Sequence, residues 1–463
     1  MMTRRRVLQG LTLGAGAWLT RDWLAQVALA AGNTDPGEVP LLIVCTFPGG
    51  WDQMLALDPR DLTQNPLGGA VEPAYDLCAQ NDQFVTQVLK ATGGTGIVQP
   101  QGSTLQFGPA IGRLAEHWQD LCVIRALDMG TLTHEVGRRY MLTGKFPRGL
   151  QASGSSLPTW FVAQAGDHAP VPNLVVGVES YNEGQATFAT GLRVRQAKDL
   201  LTVLAPLGTP LSQASADAVG QYVMTHDCPR ELLDGQGLVT EYLESRAKAQ
   251  TMATGKLATY FQFTTQPTAE IQSLYTLFHI DQKKLTSELT SPRGMALLAA
   301  QALSKGIAQA VSIALSPSVD HHDDEWQLRH AKDLRDGFDA LADLIAFLKT
   351  TLDANGKPLW ARTQLLVTSD FARAPKVNAR GGRDHHLAGS CLIAGKGIRG
   401  NTLIGATDSQ LALQGTDLAS GHVDANAEAT RPPDVHATLL HAAGMAYGHI
   451  GNQNPRVIQA ALG

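Results

Sequence analysis

Residues 39–52 read VPLLIVCTFPGGWD. The run from Val39 to Phe47 is apolar almost without a break and stops at Pro48-Gly49-Gly50. A short apolar run bounded by turn residues is how a strand buried on both faces reads, and such strands belong to parallel sheets covered by helices. The same signature returns at LCVIRAL (121–127), NLVVGV (173–178), QAVSIALSPSVD (309–320), TQLLVTSD (363–370) and CLIAGKGI (391–398). Between these runs lie segments of helical period: PAIGRLAEHW (109–118), residues 134–142, residues 328–352 and PDVHATLLHAAGM (433–445). Strands alternating with helices predict an α/β fold with a large, mostly parallel central sheet flanked by helices on both faces. Residues 53–107 read as loop, and 212–311 read as a helical insertion.

Composition narrows the class. With 463 residues, 44% of them hydrophobic and 17% charged, the chain has enough apolar mass for a large core and is neither a disordered protein nor a coiled coil. The net charge is −5 and basic residues cluster only in the first six positions, so no nucleic-acid surface is expected. The five cysteines form no CxxC pair, which argues against a disulfide scaffold and a structural zinc module. The glycines of GGTGIVQPQGS are followed by no helix carrying Lys-Ser/Thr, so they make no phosphate loop.

The amino terminus reads as an address. Thr3-Arg4-Arg5-Arg6-Val7-Leu8 resembles the twin-arginine export motif. A mildly apolar stretch from Leu11 to Leu19 follows, then the cleavage-like Ala28-Leu29-Ala30. Arg21-Asp22 interrupts the stretch, which falls short of the ~20 apolar residues a membrane span needs, so no stable transmembrane segment is expected. Residues 1–30 are therefore expected to be a signal peptide and 31–463 one mature α/β domain. Export through the Tat machinery, already folded, would place the mature chain in the periplasm or outside the cell.

Three strand-like runs lead to acidic residues: Asp52, Asp320 and Asp370. In an open parallel sheet, ligands bind beyond the carboxyl edge of the strands. Histidines stand close by, with His321-His322 after Asp320 and Asp384-His385-His386 after a Gly-Gly turn. Mixed carboxylate and imidazole suit zinc, manganese or iron. Asp434-x-His436 has metal-like spacing but reads better as a helix cap, Arg373 and Lys145 could line an anionic pocket but read better as surface charges, and His117, His168, His226 and His279 read as core or surface residues.

Residues 134–144, HEVGRRYMLTG, resemble the sulfatase signature C-x-P-x-R-x-x-L-x-T-G, with Arg138, Thr143 and Gly144 in register. The order Asp52, residue 134, Asp320/His322, Asp370 and a late histidine resembles the metal-ligand order of the alkaline-phosphatase-like superfamily. Gly50-Trp51-Asp52, Thr133-His134, Asp320-His321-His322, Gly381-Gly382-Arg383-Asp384-His385 and Ala394–Gly400 resemble a family of twin-arginine-exported proteins placed in that superfamily.

The resemblance implies hydrolysis of phosphate or sulfate esters, on a small-molecule or polysaccharide substrate, with one or two divalent ions. Zinc is the first choice; manganese and calcium are also admitted. It assigns Asp52 and Asp370 to one ion and Asp320, His322 and His385 or His386 to the other, with Arg138 on a tetrahedral anion. Three departures stand out: His134 replaces the signature cysteine, Val136 its proline, and Phe371 a usual imidazole. They leave open a single ion, His134 as ligand or as nucleophile, Thr133 or Thr131 as a hydroxyl nucleophile, and an exported anion- or polysaccharide-binding protein without turnover.

Overall fold

The structure, a computed structural model, describes residues 39–204, 214, 218, 257–448, 450 and 454–463. The expected signal peptide, its cleavage site, most of the first half of the helical insertion, His226 and Cys228 lie outside the described residues.

The strands are β1 (Leu41–Phe47), β2 (Leu121–Asp128), β3 (Asn173–Val176), β4 (Leu192–Val194), β5 (Ala310–Ala314), β6 (Thr363–Ser369), β7 (Ala372–Arg373), β8 (His385–His386), β9 (Ala388–Gly395) and β10 (Thr402–Ile404). Eight of them form one sheet in the order β10-β2-β9-β6-β1-β5-β3-β4, and β7 pairs with β8. Within the large sheet β9 runs against its neighbours β2 and β6, and the other pairs are parallel. The expected α/β architecture, mostly parallel and covered on both faces, is the observed one.

The opening stretch shows why. All seven residues of β1 are buried. Side chains alternate between faces, so Leu41, Ile43, Cys45 and Phe47 join one core with the helices Pro292–Ser304 and Ala331–Thr350. Leu42 and Val44 join a second core with the helices Leu157–Ala165 and Pro432–Ala442. Cys45, Cys78, Cys122 and Cys391 are buried and unbridged. Among the described residues no helix is long and apolar enough to cross a membrane.

Some local expectations shift. The amphipathic segment at 109–118 is a 3₁₀ helix over Gly112–Asp120. Gly112 sits at φ +57°, outside α-helical space, and Asp339 Oδ1 accepts the Arg113 N–H at 2.7 Å. The loop-like region 53–107 holds two short helices, Tyr75–Ala79 and Gln83–Ala91. The last strand-like run ends at Gly395 (φ +99°), so residues 396–398 lie beyond the strand. The long helix is preceded by a π turn over Trp326–His330, which carries both of those side chains into the interior.

The topology explains why distant residues can meet. β1, β5 and β6 are parallel and end at one edge. Because β9 is antiparallel to β6, its start lies at that same edge. The segment leading into β9 therefore brings His385 to the residues that follow β5 and β6.

Candidate metal centre

Four side chains converge at that edge: His134, Asp320, His322 and His385 each offer one ligand atom, and these atoms all lie within 4.8 Å of one another. Asp320 Oδ1 is 3.1 Å from His134 Nε2, 3.0 Å from His322 Nε2 and 3.5 Å from His385 Nε2. His134 opens the helix His134–Thr143, directly after the extended Thr133.

The far side of each ring fixes which nitrogen faces the group. His134 Nδ1 is 3.0 Å from Asp370 Oδ2, His322 Nδ1 is 2.9 Å from Asp384 Oδ1, and His385 Nδ1 is 2.6 Å from the Leu132 carbonyl oxygen. These partners accept, so each Nδ1 carries its proton and each Nε2 presents a lone pair. Burial holds the His385 imidazole below its ordinary pKa, and the His322 hydrogen bond does the same for the Asp384 carboxyl. The consequence is a repulsive cluster. His322 Nε2 and His385 Nε2 stand 2.8 Å apart with no proton to share, and buried His134 Nε2 has no hydrogen-bond partner. A cation relieves both defects.

Arg373 partly offsets the cluster. Its fully buried guanidinium donates to Asp320 Oδ1 at 2.7 Å and to His322 Nε2 at 3.3 Å. It also donates to the carbonyls of Gly49, Gly50, Val319 and Arg383. Burial opposes ionisation of Asp320, but the Arg373 hydrogen bond and charge outweigh it and hold the carboxyl at about 2. The sequence reading of Arg373 as a surface charge is thus corrected: the side chain is fully buried and tied to carbonyls of three chain segments. Nothing local in the sequence marks that role.

The other expected residues fall as follows. Asp370 is buried and holds His134 through Oδ2, which also accepts the Gly49 N–H at 3.0 Å. The structure does not bring Asp52 into the group. Its carboxylate is fully buried against Arg383 Nε at 2.8 Å, Trp326 Nε1 at 3.0 Å and the Met54 N–H at 2.9 Å. His386 is adjacent to His385 on β8 and so faces the other way, with Nδ1 accepting the Ala388 N–H. Thr133 is exposed. Arg138 lies one turn after His134, with Nη1 4.0 Å from Asp370 Oδ2 and Nη2 3.2 Å from Glu179. Phe371, at the position of an imidazole in the resembled superfamily, packs its ring 4.5 Å from that of His134 and 4.3 Å from that of His385. Thr143 and Gly144 act structurally: the Thr143 hydroxyl donates to the Arg139 carbonyl, and Gly144 at φ +67° ends the helix.

The donor set is three imidazole nitrogens and one carboxylate oxygen, with the outer nitrogens already tied down. Those residues fit zinc, manganese or iron; calcium, which takes six to eight oxygens, fits them poorly.

Among solved structures, the chain is similar to Ps i-CgsB in complex with k-i-k-neocarrahexaose, at 9% identity and TM-score 0.34, over 88% of this chain and 72% of that one. It is similar to the PsFucS1 sulfatase from Pseudoalteromonas sp. at 12% identity and TM-score 0.34, over 92% and 72%. It is similar to the lipoteichoic acid synthase LtaP from Listeria monocytogenes at 8% identity and TM-score 0.33, over 96% and 81%. No curated protein matches the sequence. A family model described as "Protein of unknown function (DUF1501)" matches residues 40–453, and the chain belongs to that family.

Proposed function

We propose that this protein is an exported, metal-dependent hydrolase of phosphate or sulfate esters, built around a single divalent ion. The observation that carries this reading is the convergence of His134, His322 and His385 Nε2 on Asp320, each ring held from behind by an acceptor. A divalent ion at such a site polarises an ester oxygen and activates water. Arg138 lies on the helix that starts with His134, 4.0 Å from Asp370, and on this reading its guanidinium takes the tetrahedral oxyanion. Phe371 gives the ligand rings an apolar wall. The substrate is a small-molecule or polysaccharide ester.

The test is metal analysis of the purified full chain, followed by a screen of chromogenic phosphate monoesters, phosphate diesters and sulfate esters. About one ion per chain is expected, with hydrolysis lost on chelation and restored by zinc or manganese. Wild-type protein that holds no divalent ion after equilibration with either metal would sink the reading.

One observation favours a second reading, an exported binding protein without turnover. Four protein donors fill the tetrahedral shell of zinc, and a closed shell is the mark of a structural site. A stoichiometric ion with no turnover of any ester selects it.

Export is the part of the proposal that rests on sequence. Thr3-Arg4-Arg5 and Ala28-Leu29-Ala30 support passage through the Tat machinery and cleavage near Ala31, into the periplasm or beyond. Replacing Arg4 and Arg5 together by lysine should leave full-length protein in the cytoplasm. Normal export of that double variant would rule the route out.

A further inference from the structure

A cleft of about 500 Å3 opens where β3 and β4 end, lined by Arg138, Arg193, Arg195, Glu179 and Asp370 among others. Asp370 is common to both sites: its Oδ2 holds His134 of the metal centre at 3.0 Å and lies 4.0 Å from Arg138 Nη1. Arg193 lies on the edge strand β4 and Arg195 directly follows its last residue. Val194 between them is buried while Arg193 and Arg195 are exposed, as alternation along a strand requires.

The charge balance of this cleft is unusual. The two carboxylates in its wall already have partners. Glu179 accepts from Arg138, Arg139 and Tyr181, and although burial opposes its ionisation, those hydrogen bonds hold its carboxyl below the ordinary value. Asp370 accepts from Gly49 and His134. Arg138 shares Glu179, but the other two arginines are not matched in this way. Among the described residues the guanidinium groups of Arg193 and Arg195 make no ion pair, and Arg138 Nε is buried without a hydrogen-bond partner. Like-charged arginines sharing a wall repel one another unless an anion lies between them. Their planar forks match the oxygens of sulfate, phosphate or carboxylate.

We propose that this cleft is an oxyanion subsite, with Arg193 and Arg195 as its specificity-determining residues. As far as it concerns substrates, the proposal rests on the hydrolase reading. The ester turned over at the metal centre carries at least one further acidic group, as a multiply sulfated or phosphorylated compound does, and that group sits between the arginines. Binding of the anion itself does not depend on turnover.

The experiment is calorimetric titration of the metal-loaded full chain with sodium sulfate, and separately sodium phosphate, at low ionic strength to limit screening. The wild type is compared with the Arg193→Gln/Arg195→Gln double variant. Both side chains are exposed, so the variant should keep its thermal midpoint and its metal content. The proposal expects its sulfate and phosphate affinity to fall on the order of tenfold or more, the equivalent of one charged hydrogen bond. In kinetics, KM for a bis-sulfated or bis-phosphorylated ester should rise by about the same factor, with KM for the matching monoester unchanged. Affinity that is equal in the two proteins, or a wild type that binds neither anion, overturns the subsite and leaves the metal centre standing. A protein that binds sulfate through these arginines yet hydrolyses no ester keeps the subsite and overturns the hydrolase reading instead.

Discussion

His134 connects the two halves of the site, with Asp370 behind its Nδ1 and Asp320 in front of its Nε2. Removing a ligand weakens the ion that it helps hold. His134→Ala is expected to lose bound metal, by about tenfold or more in affinity, together with any hydrolysis. Full metal content with hydrolysis abolished would assign a nucleophile's role instead. Asp384 acts one bond further out. It is more than half exposed and touches the group only through His322 Nδ1. Loss of such an outer partner costs about 10–100-fold in metal affinity. Asp384→Ala should show that loss by competition with a chromogenic chelator, with stability changed by less than about 0.5 kcal/mol. A variant that binds metal like the wild type would remove Asp384 from the account. Asp52 should behave in the opposite way. Asp52→Asn leaves the buried Arg383 charge uncompensated, so denaturant unfolding should show a loss of about 3–5 kcal/mol, with metal per folded molecule unchanged. Metal loss without destabilisation would return Asp52 to the ligand set.

At the scale of elements, two close approaches set the geometry. The helix that begins at His134 presses against the turn after β6, where a Cβ on Gly137 would lie 2.2 Å from the Asp370 carbonyl oxygen. Gly137→Ala must push helix and turn apart, and overpacking of this kind costs about 1–3 kcal/mol. The same displacement moves His134 from Asp370 and Asp320, so metal affinity should fall along with the melting temperature. Unaltered affinity in a destabilised variant would show that the helix can shift without its first residue. The second approach is at Gly382, where a Cβ would lie 2.3 Å from the backbone of His322 and Asp323. This contact explains the Gly-Gly-Arg-Asp-His run as one device. Gly382 admits the His322 loop, Arg383 binds Asp52, Asp384 orients His322, and His385 joins the group.

For the molecule as a whole, buried neutral histidines govern acid stability. His436 is fully buried beneath the site helix, with Nε2 2.7 Å from the Met141 carbonyl oxygen, and burial pushes its pKa down from 6.5 to about 4. Its folded pKa is depressed, so between pH 6.5 and 4 the unfolded chain binds the proton and the folded one does not. Stability is therefore intact above pH 6.5 and falls as the pH drops through that window, by about 3 kcal/mol for this residue. His321 and His330, also shifted down by burial, act in the same direction. Urea unfolding of His436→Gln, which keeps a donor and cannot titrate, should lose less stability than the wild type between pH 6.5 and 4.5. Parallel curves for the two proteins would mean that His436 is not held neutral.

The sheet was legible in the sequence because a strand covered on both faces is apolar through its middle, as Leu41–Cys45 of β1, Leu121–Ile124 of β2 and Leu365–Val367 of β6 are. Their carboxyl ends, and the histidines after β5 and before β9, pointed to one edge for the same reason of topology. Roles within the edge were a different matter. A carboxylate that faces an ion and one that faces a buried guanidinium read alike, so the choice between Asp320 and Asp52 waited on where Arg383 folded, over 300 residues from Asp52. His385 and His386 were equivalent until the pairing of β7 with β8 set Arg373 opposite His385 and fixed the faces. Arg373 read as a surface charge because the carbonyls that bury it come from segments far apart in the chain. Sequence alone determined the apolar period and the order of the reactive residues. Which of them touch was decided by tertiary structure, since burial, register and charge pairing are properties of neighbours that the chain brings together only on folding.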